Sequence, residues 1–143
     1  MLKNVLLQFY KYEMHVFISW SILTVVAKYL DLNINWLVLL LAADLSFFYV
    51  LYDKVIIDDV KDSNVVLLFP KIYGISVALL VIGISLQLFL NEQNFLSSLG
   101  MFGVLISCMM LFNHSVQDKF MPLLKEFLLR TILILFLGIL HAL

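Results

Sequence analysis

Charge and cysteine are scarce in this sequence, and both shortages narrow its chemistry. Only 13% of its 143 residues are Asp, Glu, Lys or Arg, while 64% are hydrophobic, against roughly 25% and 45–50% in an ordinary soluble domain. That balance argues against a soluble protein. Cys108 is the single cysteine, so an intrachain disulfide and a paired-thiol metal site are both ruled out. No glycine-rich phosphate cradle, Gly-x-Ser-x-Gly elbow or His-Glu-x-x-His pair is present, which removes the common signatures of nucleotide binding, serine hydrolysis and zinc proteolysis. With a formal net charge of −1, nothing in the overall balance points to nucleic acid.

The sequence is rich in apolar blocks of about 18 to 21 residues, the length a helix rising 1.5 Å per residue needs to cross about 30 Å of hydrocarbon. The blocks predict an all-α, polytopic transmembrane helix bundle forming one domain over residues 1–143, with five spans at about 12–30, 36–52, 70–90, 95–112 and 123–142. The alternative is four spans plus a last helix lying along the interface, because Lys125, Glu126 and Arg130 shorten the final apolar run. Lys3 and Lys11 precede the first block as in a signal peptide, but Glu13 and His15 interrupt it and no small-x-small cleavage site follows, so an uncleaved helix is expected. The stretch 31–35 and the turn 91–94 reverse the chain, and Pro70 is expected in the first turn of span three, where its missing N–H costs nothing. A cytoplasmic N-terminus puts every Lys and Arg except Lys28 at or near the cytoplasmic face, in line with the positive-inside rule. The expected location is a cell membrane, specifically a bacterial inner membrane.

Four ionisable residues within or beside the spans stand out: Glu13, Asp44, His114 and Asp118. Asp44 lies eight residues before the end of span two, about 12 Å below the surface at 1.5 Å per residue. The same depth in span one holds Trp20, flanked by Ser19 and Ser21, whose hydroxyls offer donors for a buried polar clamp on the carboxylate. Such a clamp serves either a protonatable group in an ion path or an interhelical hydrogen bond that fixes packing. His114 and Asp118, spaced i, i+4, join Glu13 as a candidate three-ligand metal site at the cytoplasmic edge; ordinary solvated charges give the same pattern. Gly74 and Ala78 on span three, with Gly100, Gly103 and Ser107 on span four, provide small faces for close helix packing with each other or a partner. Glu126 and Arg130 form an i, i+4 pair in the favourable order. Asp58, Asp59 and Asp62 form an acidic loop without the glycine and terminal glutamate of a calcium hand.

Lys11-Tyr12-Glu13, Asn35-Trp36, Asp44-Leu45-Ser46 and His114 through Asp118-Lys119 resemble the motifs of an uncharacterised family of small four-span bacterial membrane proteins. That family's pattern is Arg-x-Glu, a Trp-bearing turn, Pro-Asp-Leu-Ser and His-x-x-x-Asp-Arg. Ala43 stands where the pattern has proline, the family's Tyr-Asn-x-x-His stretch has no counterpart, and a fifth helix is added. The resemblance implies no known activity, but it singles out Glu13, Asp44, His114 and Asp118.

These features lead to the expectation of a non-enzymatic accessory or immunity-type protein. It would sit in the lipid bilayer and act through helix contacts with a membrane-protein partner or a second copy. The competing expectations are a small oligomeric proton or cation transporter using Asp44, and a metal-dependent membrane enzyme using Glu13, His114 and Asp118. Whether a cofactor is bound is left open by the sequence.

Overall fold

A computed structural model describes residues 2–30, 34–56, 64–90 and 95–142. The acidic loop Asp58, Asp59, Asp62 and the reversals at 31–33 and 91–94 lie outside the described residues. Among the described residues, seven α-helices follow one another: α1 Leu2–Tyr29, α2 Asn35–Val50, the single turn α3 Asp53–Ile56, α4 Asn64–Leu90, α5 Phe95–Met110, α6 His114–Phe120 and α7 Leu124–Ala142. No strand occurs among them.

Two helices begin earlier than expected. α1 runs back to Leu2 rather than starting near Tyr12, because neither glycine nor proline stands in residues 2–12 to stop it. α4 starts at Asn64, so Pro70 is inside the helix instead of in its first turn; the cost is the backbone hydrogen bond that Val66 C=O would otherwise accept. Asn113 caps α6, its Oδ1 accepting the Ser115 N–H at 3.0 Å. Pro122 then sits in a 3-10 turn, Met121–Leu123, that leads into α7.

α4 is the centre of the assembly, packed chiefly against α5 and α2, while α1 lies on α2 and α7 reaches α4. Glycine permits these approaches. A Cβ at Gly100 would stand 2.5 Å from Leu80 N and 2.8 Å from Ser76 O on α4, and one at Gly74 would run into the Tyr49 carbonyl on α2. Only a residue without a side chain lets the backbones come that close.

Among the described residues, α4 is the one helix that alone is long and apolar enough to cross a membrane. α5 and the stretch His114–Leu140 pass that test jointly but are bent by 95° to each other, and α2 is a shorter apolar helix. Around an apolar core, large apolar side chains also cover much of the outside, and several polar groups are buried. Glu13, Thr24, Ser85 and Arg130 are buried, while Phe47, Phe102, Met109, Ile132 and Phe136 are each more than 60% exposed.

Candidate functional site

The buried charges form one constellation between the first and last helices. Glu13 lies about three turns into α1, on the same face as Phe17 and Trp20, and is fully buried. Arg130, the chain's single arginine, comes from α7 and is 2% exposed. Its Nη2 donates to Glu13 Oε2 at 2.5 Å and its Nε to both carboxylate oxygens at 3.1 Å. The Tyr49 hydroxyl of α2 donates a short hydrogen bond to Glu13 Oε1. Side chains of α1, α2 and α7 thus meet at one carboxylate, which compensates the desolvation of both ions.

Further contacts hold the arginine in place. Arg130 Nη2 lies 3.4 Å from Glu126 Oε2, one turn earlier on α7, and Nη1 is 3.5 Å from the Tyr52 hydroxyl. The Tyr10 hydroxyl donates to Glu126 Oε2 at 2.9 Å, and the Tyr10 ring lies 6.0 Å from the guanidinium carbon. Next to the pair, Tyr52, Tyr73, Phe69, Phe120 and Phe127 pack as edge-to-face and tilted rings, with Tyr73 and Phe127 centroids 5.0 Å apart at 88°. Tyr73 Oη is buried without a hydrogen bond in suitable geometry. Beside the pair opens a cavity of about 340 Å³ lined by Tyr10, Lys11, Met14, Glu126, Leu129 and Arg130.

This arrangement binds helices together and is poorly suited to moving protons. Arginine stays protonated in proteins, and both carboxylate oxygens of Glu13 are already occupied by donors. Glu13 is therefore also unavailable as a metal ligand. The three-ligand centre expected from Glu13, His114 and Asp118 is not assembled: His114 and Asp118 are exposed on α6, and no group of three His, Cys, Asp or Glu among the described residues has the geometry to hold a metal. Glu13 belongs to the interior rather than to a solvated edge.

The expected clamp on Asp44 is not formed either. α2 buries Val38, Ala42, Leu45, Phe48 and Tyr49, and Asp44 lies on the exposed side with Trp36, Leu40, Ala43, Phe47 and Val50. Of the expected donors, Ser21 gives its hydroxyl to Phe17 O at 2.8 Å and Ser19 is exposed, while Trp20 Nε1 donates to Ser85 Oγ of α4 at 3.0 Å. Position along the helices is not enough, because α2 is rotated so that its acid turns away from the packed interior. The small residues divide between two interfaces. Gly100 and Gly103 face Ser76 and Leu80 of α4, and Ser107 returns its hydroxyl to Gly103 O at 2.9 Å. Gly74 and Ala78 instead meet α2, Ser46 Oγ donating to Ala78 O at 3.3 Å.

No protein-family model, curated protein or solved structure matches this chain. The four residues singled out in the sequence, Glu13, Asp44, His114 and Asp118, occupy three separate environments: an internal ion pair, an exposed apolar face, and the exposed α6 turn.

Proposed function

We propose that this is a multi-pass membrane protein, with α1, α2, α4, α5 and α7 embedded and the N-terminus cytoplasmic, that works as a non-enzymatic accessory or immunity-type subunit by docking α2 onto another membrane component. The apolar exterior supports the embedding: large apolar side chains cover much of the outside, and exposed apolar surface on this scale marks a membrane or an interface. The bacterial inner membrane suits the Lys/Arg distribution.

The observation that carries the docking assignment is Asp44. Its carboxyl interrupts an otherwise apolar outward stripe in which Phe47 is 63% and Leu40 52% exposed. Facing lipid, a charged aspartate near the middle of a span costs about 2.5–3.5 kcal/mol or more. A partner helix that offers Asp44 a hydrogen-bond donor or a cation removes this cost and gains an orientation-specific contact. The same placement favours docking over an internal ion path, because Asp44 is on the outer side of α2 rather than between packed helices.

Affinity purification of the full chain in mild detergent tests this directly. The expected result is a stable complex, with another membrane protein or a second copy, that Asp44→Leu disrupts. A lone monomer for the wild type, or a complex indifferent to Asp44→Leu, contradicts it.

A further inference from the structure

A second feature of the outer surface is a seam between α1 and α7. The helices are tied at its two ends by polar contacts: Tyr10 with Glu126 and Glu13 with Arg130 at one end, and Lys28 Nζ donating to Leu140 O at 2.5 Å at the other. Between the ties lies an apolar groove of about 350 Å³ whose walls include Ile18, Ile22 and Val25 of α1 and Leu133 and Phe136 of α7. The cavity beside Arg130 opens on the same seam, because Met14 and Ile18, like Leu129 and Leu133, are four residues apart and so stack one turn above the other.

We infer that the α1–α7 seam binds one glycerophospholipid with a primary-ammonium zwitterionic headgroup of the phosphoethanolamine type. The shape is amphipathic in the required order. From Ile18 to Val26 the groove follows α1 for about 12 Å at 1.5 Å per residue, most of one leaflet's share of about 30 Å of hydrocarbon, which suits an acyl chain. Its mouth carries two exposed charges of opposite sign, Lys11 and Glu126, the latter with a half-exposed side chain. Lys11 is placed for the headgroup phosphate. Glu126, held in position by Tyr10 and Arg130, is placed to accept from the ammonium. An anionic lipid would leave Glu126 opposed by like charge, and a quaternary ammonium has no N–H to donate to it. The inference rests on the membrane-embedded reading but is independent of the α2 docking face.

Native mass spectrometry of the full chain, ejected from micelles equilibrated with equal amounts of phosphatidylethanolamine, phosphatidylglycerol and phosphatidylcholine, provides the test. The expected spectrum shows one retained lipid per chain, with phosphatidylethanolamine enriched at least threefold. Ile22→Trp, which fills the groove from an exposed position, should cut retention at least fivefold. Lys11→Gln and Glu126→Gln, both at exposed sites, should abolish the headgroup preference. Retention unchanged by Ile22→Trp, no preference in the wild type, or a preference that survives both mouth substitutions overturns the inference. Asp44→Leu should retain lipid as the wild type does, which separates failure of this site from failure of the docking face. A wild-type chain that stays monodisperse without detergent sinks the membrane reading itself.

Discussion

Arg130 Nη2 of α7 and Glu13 Oε2 of α1 lie 2.5 Å apart where solvent does not reach, joining positions 117 residues apart in the chain. Removing either charge leaves the other buried and unpaired, a situation that costs about 3–5 kcal/mol. Glu13→Met and Arg130→Met should each destabilise the protein by about that amount. The double replacement by methionines should come close to wild-type stability, because both desolvation penalties vanish together. Reversible unfolding in mixed micelles measures the cycle; additive losses would show that the pair does not act as a unit.

The tyrosine near the end of α2 and the one in the turn that follows should differ in weight. Tyr49 donates directly to Glu13, whereas Tyr52 stands 3.5 Å from Arg130 Nη1, at the limit of a hydrogen bond. Tyr49→Phe should therefore cost about 1–3 kcal/mol by leaving a buried carboxylate short of a donor, and Tyr52→Phe less than about 1 kcal/mol. The same unfolding assay ranks them, and an equal effect would contradict the assigned donor.

Close packing of α4 on α5 yields a contrast between two glycines. Gly100→Ala places a Cβ 2.5 Å from Leu80 N, so backbone has to move, and a loss of about 1–3 kcal/mol or more follows. At Gly138 the nearest atom to a new Cβ is the flexible Met101 Cε at 2.6 Å, which can rotate away. Gly138→Ala should be nearly neutral in thermal unfolding, and a larger effect than that of Gly100→Ala would refute the close approach of α4 and α5.

Helix content and most helix limits, though not the starts of α1 and α4, were legible in the apolar blocks, and the polar residues Asn35 and Asn113 stand at the start of α2 and the cap of α6. Which face each helix buries was not. α2 is apolar nearly all round, so its sequence carries no stripe to show that Leu45 and Tyr49 turn inward and Asp44 outward. The i, i+4 relation of Glu126 and Arg130 was readable because it is local. The Glu13 partnership was not, since it depends on how helices at opposite ends of the chain come together. A signal was nonetheless present: a lone arginine within the last apolar block and a glutamate within the first each need a counter-charge. Small-residue spacing identified Gly100 and Gly103 at a helix contact, but it did not reveal that Gly74 serves a different neighbour, or that Gly83 lies against Ser97.

Docking through the outward face of α2 is most directly tested by a photo-crosslinking residue at Phe47, one turn from Asp44, in the intact membrane. The expected outcome is a discrete crosslinked product of defined mass that disappears when Asp44→Leu is added and is absent when the crosslinker replaces Phe102 on α5. Crosslinks to lipid alone, or a protein product that persists in the Asp44→Leu background, would contradict the docking role of this face.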